Sequence, residues 1–191
     1  MNNLTFQQEG HEYYYEGKKV PCVSDIIQHF GISNFSFVNP EVLEAAREFG
    51  TNVHSTCELH DRNDLAECDP LIEPYLDQWI RFKDNEGIDS FDLIEEPLYS
   101  KVWGFAGTPD RVCGDTDVEI KTGAKTVANK IQSALYKILI DENCKVKIKN
   151  RWVVHLKPDT YTFVWYRDKT DLNIAKSLIS IYNWKKENKL L

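Results

Sequence analysis

Gly107-Thr108-Pro109-Asp110, followed further along by Glu119-Ile120-Lys121, is the stretch on which the reading of this chain turns. Between the two pieces sit Gly114 and Asp115, residue types that tolerate the backbone angles of a tight hairpin turn. A strand ending near Cys113, a two-residue loop at 114–115 and a second strand through Val118 to Lys121 set Asp110 directly opposite Glu119. Like charges in that relation repel, so a chain that puts them there calls for a cation between them. Lys121 lies two residues beyond Glu119, and the pleat turns it to the same face. Two carboxylates and an ammonium on one face are the parts needed for metal-assisted phosphodiester hydrolysis. Register carries the argument, since a three-residue loop would put Ile120 opposite Asp110. An ordinary solvated hairpin with scattered charges is the competing description.

Upstream of the hairpin, Phe91 to Ser100 reads as a strand, and Trp103 to Gly107 leads from it into the turn region. Downstream the hydrophobic period changes. Val127, Ile131, Ala134, Leu135, Ile138 and Leu139 predict a helix of about 15 residues, with Gln132 and Tyr136 one turn apart on its side. Strands over Arg151–Leu156 and Tyr161–Arg167 flank a turn at Lys157-Pro158-Asp159. A last helix starts between Asp168 and Asp171 and ends in a basic tail that suits a helix C-terminus. Toward the N-terminus, a helix covers residues 72–86, and another opens at Asn39-Pro40 with an apolar stripe of Val42, Ala45, Ala46, Phe49 and Val53. His54 and Glu58 share a face of that helix. Before it, Ser24 caps a short helix that Gly31 ends, and residues 4–9 and 12–20 form a hairpin around Glu9-Gly10-His11. This order predicts an α/β sandwich with a mixed sheet. It reads as one domain over residues 1–191, with residues 1–38 as a hairpin-and-helix extension packed on the core.

The totals fit that picture. In 191 residues, 42% are hydrophobic and 12% aromatic, which supports a core and argues against disorder. No apolar run reaches the roughly 18 residues of a membrane span, and Met1 to Phe6 resemble neither a secretory signal nor a mitochondrial presequence. The five cysteines, at 22, 57, 68, 113 and 144, show no paired spacing. They speak against a cysteine-built zinc site and for reduced thiols in a cytoplasm. A net charge of −7 speaks against a generic nucleic-acid-coating protein, which is usually basic. It does not exclude a nuclease, whose acidic ligands are reversed locally by the metal they hold. Lys121, Lys125 and Lys130 cluster near the hairpin. Lys145, Lys147, Lys149 and Arg151 read as a solvated loop and strand start. Asp115 and Asp117 read as turn chemistry, His155 as structural, and Phe35 and Phe37 as packing rather than as platforms for bases.

With these pieces in place, the chain resembles the PD-(D/E)XK nuclease superfamily, and within it the RecB-like and phage-type exonucleases. Gly104-Phe105-Ala106-Gly107-Thr108-Pro109-Asp110 is similar to the family's G-x-A-G-x-x-D segment, and Glu119 to Gly123 to its (D/E)-x-K-T-G. Gly50-Thr51-Asn52-Val53-His54 is similar to G-T-x-x-H, and Gln132 to Tyr136 to the Q-x-x-x-Y of the RecB branch. Glu95 or Glu96 falls where the family often has a Glu, and Tyr15 to Pro21 resembles the N-terminal hairpin of phage members. The likeness covers roughly residues 12 to 167, and five pieces stand in the family's order. One departure is Phe49, which stands where relatives usually carry Arg; Arg47 lies two residues earlier.

The resemblance implies a restriction-endonuclease-like core and a metal-dependent DNA exonuclease of phage or bacterial recombination and repair, working in the cytoplasm. An endonuclease of the same fold and an inactive nucleic-acid-binding subunit are the alternatives. It implies Mg²⁺ or Mn²⁺ held by Asp110, Glu119, the Ile120 carbonyl and His54. Lys121 orients or helps deprotonate the attacking water, and Gln132 and Tyr136 serve the substrate strand. Glu58 reaches the metal through water. The implied partner is DNA, as a single strand or the end of a duplex, together with a recombination protein and with no membrane; oligomeric state stays open. Some relatives hold an iron–sulfur cluster with late cysteines. None follows Cys144 here, so no such cluster is expected.

Overall fold

The computed structural model describes residues 3–191. Met1 and Asn2, part of the stretch read above for a leader, lie outside them.

The chain begins with strands β1 (Leu4–Gln7), β2 (Glu12–Tyr15) and β3 (Lys18–Val20), then helices α1 (Val23–His29), α2 (Pro40–Asp61) and α3 (Glu73–Glu86). Short strands β4 (Leu93–Ile94), β5 (Leu98–Ser100), β6 (Phe105–Gly107) and β7 (Arg111–Cys113) lead to β8 (Thr116–Lys121). Helix α4 (Val127–Asn143), strands β9 (Asn150–Leu156) and β10 (Tyr161–Tyr166) and helix α5 (Lys169–Glu187) complete it. The main sheet has the order β10-β9-β8-β7-β4. Only β8 and β9 run parallel, joined through α4, so the sheet is mixed and flanked by helices.

The β7–β8 hairpin has the tight register. Arg111 pairs with Val118 and Cys113 with Thr116, leaving Gly114 and Asp115 as the loop. Gly114 takes a φ of +55°, which an L side chain rarely adopts. Continued by one residue, this register sets Asp110 against Glu119. Side chains of β8 alternate. Val118 and Ile120 enter a core with Val53 and Cys57 of α2 and Leu76, Trp79 and Phe82 of α3. Asp117, Glu119 and Lys121 turn to the opposite face, toward α4. That side carries the second core, where Leu135 and Leu139 of α4 meet Ile26 of α1 and Ile179 of α5.

Three local expectations are corrected. Phe91–Ser100 is not one strand: β4 joins the main sheet, β5 pairs with β6, and Glu95-Glu96-Pro97 breaks the run. Pro97 cannot donate to a ladder, and Glu95 sits at a φ of +45°. Residues 12–20 turn at Glu16-Gly17, so the N-terminal unit has three strands. It packs on the core through Tyr13, Val20 and Cys22 against Ala106. Cys22, not Ser24, caps α1: its sulfur accepts from the Asp25 N–H at 3.4 Å while Asp25 accepts from the Cys22 N–H at 2.9 Å. The Asn39 cap follows expectation, accepting from the Glu41 N–H at 2.8 Å, and Asp168 caps α5, accepting from the Thr170 N–H at 2.8 Å.

Gly107 marks the closest packing near the site. A Cβ there would lie 2.8 Å from Val23 and 2.9 Å from Tyr136, so only glycine lets α1 and α4 close on β6. Phe35 and Phe37 do not pack inward as expected; they are 44% and 81% exposed. All five cysteines carry free thiols. Among the described residues no helix is long and apolar enough to cross a membrane.

Candidate metal centre

His54, Glu95 and Asp110 come from three separate elements. Each offers a ligand atom, and these atoms lie within 4.8 Å of one another. His54 projects from the middle of α2. Its Nδ1 stands 3.4 Å from Asp110 Oδ1 and 3.5 Å from Glu95 Oε1. An octahedral Mg²⁺ with bonds of about 2.1 Å keeps neighbouring donors about 3 Å apart, so this spacing fits a small hard cation with little adjustment. Glu95 reaches the group because its N–H donates to the Asp110 carbonyl at 2.9 Å, which holds its unfavourable left-handed backbone. Strain of this kind gathers at functional sites. Glu96, the alternative from sequence, is exposed and lies outside the group.

Asp110 and Glu119 interlock through backbone amides. Asp110 Oδ2 accepts from the Ile120 N–H at 2.6 Å, and Glu119 Oε1 accepts from the Asp110 N–H at 3.2 Å. Glu119 Oε2 faces the Lys121 ammonium at 3.4 Å. Glu119 therefore adjoins the three-residue group but does not belong to it as it stands. Ile120 meets the site through its backbone, its side chain being wholly in the core. Behind the carboxylates, Tyr136 is buried and Gln132 Nε2 donates to its hydroxyl at 3.4 Å. Glu58 is paired with Arg62 at 2.9 Å, outside the group.

Charge is crowded here. Burial opposes a charge on His54, but Asp110 and Glu95 outweigh it and raise its pKa to about 10. Burial likewise works against Asp110, yet His54, Lys121 and the Ile120 N–H hold it down to about 2. Burial and then the Asp110 charge push Glu119 up to about 8. Lys121 resists desolvation because Glu119 and Asp110 favour its ammonium, and its pKa is raised.

Two residues have roles the sequence reading did not assign. Asp117 is no turn residue: it is fully buried in β8, and both its carboxyl oxygens lack a hydrogen-bond partner. Burial and the charges of Glu119 and Asp110 drive its pKa well up. Arg111 is also fully buried. It donates from Nε to Asp61 at 2.8 Å, and from NH1 to Glu95 at 3.2 Å and to the Asp110 carbonyl at 2.7 Å. Its own signal was an arginine inside an otherwise apolar strand, which demands a buried partner. Asp61, two turns beyond His54 on the same face of α2, supplies it. Of the basic run near 145–151, Arg151 is buried on Asp171 at 3.1 Å and Lys149 pairs with Asp115 at 2.9 Å. Arg47 pairs with Glu44 at the surface, while Phe49 packs edge-on against Tyr75.

No protein-family model matches this chain, and no curated protein matches its sequence.

Proposed function

We propose that this chain is a metal-dependent deoxyribonuclease of the PD-(D/E)XK superfamily with a restriction-endonuclease-like core, acting as an exonuclease. The observation that carries the reading is the convergence of His54, Glu95 and Asp110 donor atoms beside Glu119 and Lys121. Carboxylate oxygens with one imidazole nitrogen suit Mn²⁺ or Mg²⁺, the imidazole favouring Mn²⁺.

His54, Glu95 and Asp110 would hold the ion, and Glu119, freed of its proton, would complete the set. A divalent ion bound there lowers the pKa of water and polarises a phosphoryl oxygen. The chain's own part is positioning. The Ile120 N–H fixes the Asp110 carboxylate, Arg111 braces Glu95, and the Lys121 ammonium orients the nucleophilic water and offsets charge on the phosphate in the transition state. Since Glu119 and Asp110 favour its charged form, orientation and charge balance suit Lys121 better than proton abstraction. Gln132 and Tyr136 back this constellation from α4, and their resemblance to the family's Q-x-x-x-Y is what favours the exonuclease branch.

The test is to incubate linear and circular DNA, single- and double-stranded, with Mg²⁺, Mn²⁺ or EDTA, beside Lys121→Ala. Metal-dependent loss of linear DNA alone is expected, slowed about 10²–10⁴-fold by the substitution. Cleaved circles would move the assignment to an endonuclease. Binding without cleavage would leave a nucleic-acid-binding subunit.

A further inference from the structure

A cavity of about 390 Å³ is lined by Gly123, Ala124, Lys125, His155, Lys157, Thr160 and Thr162, and its His155 pairs in register with Lys121 on the neighbouring strand. It lies past the C-terminal ends of β8 and β9, the parallel pair. In sheets with parallel strands, ligands sit in the crevice outside those ends. Gly123 is only two residues beyond Lys121.

The charged side chains that line it are lysines, in a chain of net charge −7. Lys121, Lys137 and Lys149 each pair with a carboxylate, at 3.4, 2.6 and 2.9 Å. Lys125 and Lys157 take part in no ion pair among the described residues. No carboxylate lines the cavity, Asp159 being at the neighbouring turn. Two threonines add hydroxyl donors, and the chain passes from Lys125 straight into α4, whose first turn holds no acidic residue. His155 shapes the wall rather than charging it. Burial lowers its pKa, and its neutral ring keeps Nδ1 3.1 Å from the Gly123 carbonyl.

We propose that this cavity binds a phosphate of the nucleic-acid strand next to the one being cleaved, an inference that rests on the nuclease reading. Two residues of chain span at most about 7 Å, against about 3.4 Å of axis rise per nucleotide in one strand of duplex DNA. The backbone of Lys121 and the Gly123 wall of the cavity are therefore within one or two nucleotides of each other. A phosphate ester fits its donors whether it is an internal diester or a terminal monoester.

The experiment compares wild type with the double variant K125A/K157A. Binding of a short oligo-deoxythymidylate, labelled at its 3′ end and bearing or lacking a 5′-phosphate, is followed by anisotropy in EDTA across a salt series. Loss of two phosphate contacts should flatten the slope of log affinity against log salt by about 0.7 per lysine for a single strand. A change confined to the 5′-phosphorylated strand assigns the cavity to a chain end. A change in both strands assigns it to the internal backbone. An unchanged slope and affinity in both arms, or no binding by wild type, overturns the proposal. Hydrolysis of bis(4-nitrophenyl) phosphate with Mn²⁺, expected to be equal in the two proteins, separates the two ideas. If that hydrolysis and DNA cleavage are both absent while the slope still changes, the cavity stands and the nuclease reading falls. Both lysines are exposed, so the variant should fold, with an unchanged melting temperature as the control.

Discussion

Arg111 stands between two buried clusters of charge built in opposite ways. On the side of α2 and α3, Asp61 is a single carboxylate surrounded by donors. Lys83 Nζ lies at 2.6 Å, Arg111 Nε at 2.8 Å and the Trp79 indole N–H at 3.0 Å. On the side of β8, the carboxyl groups of Glu95, Asp110, Asp117 and Glu119 face Lys121, His54, a share of Arg111, and Arg151, which is itself paired with Asp171. Asp117 has no hydrogen-bond partner among the described residues. In the first cluster the carboxylate is matched by donors and Arg111 NH2 is left without a hydrogen-bond partner, whereas the second is short of positive charge. The contrast separates charge used to build the fold from charge arranged to receive a cation. Elements a few residues apart on α2, His54 and Asp61, serve one each.

The largest effect expected from this contrast is on the balanced side. Asp61→Asn leaves Arg111 and Lys83 buried without their anion, and breaking such a pair costs about 3–5 kcal/mol. Denaturant unfolding should show that loss. An unchanged midpoint would mean that the two clusters do not differ in kind.

A smaller change of opposite sign is expected on the crowded side. Asp117→Val removes two unpartnered buried oxygens and suits a strand. It should stabilise the metal-free protein by about 1–3 kcal/mol, seen as a raised melting temperature. A destabilised variant would show that the Asp117 carboxyl has a favourable partner in solution.

How much of this could be read in the sequence depends on the range of the interaction. The hairpin register followed from Gly114-Asp115, and the α2 start from Asn39-Pro40, because turns and caps are settled by neighbours in the chain. The burial of Asp117 was misread because it depends on α4 lying over β8, which no local pattern announces. Glu95 could not be separated from Glu96, since the choice depends on a backbone hydrogen bond to Asp110 across the sheet edge. The Asp61–Arg111 contact needed α2, α3 and β7 to meet, although Arg111 within an apolar strand was a usable warning. Cys22 was passed over as a cap because sulfur is a weak acceptor, and its reciprocal bond with Asp25 makes the difference.

Calorimetric titration of Mn²⁺ into wild type and Asp110→Asn addresses whether the crowded cluster is a metal site. Wild type should bind at a single saturable site and release protons at neutral pH. His54 and Glu119, with pKa values raised to about 10 and about 8, carry protons there that the ion must displace. Binding should tighten as pH rises toward those values and vanish in Asp110→Asn. Equal binding by both proteins, or no saturable binding by either, would mean that these carboxylates do not hold a metal.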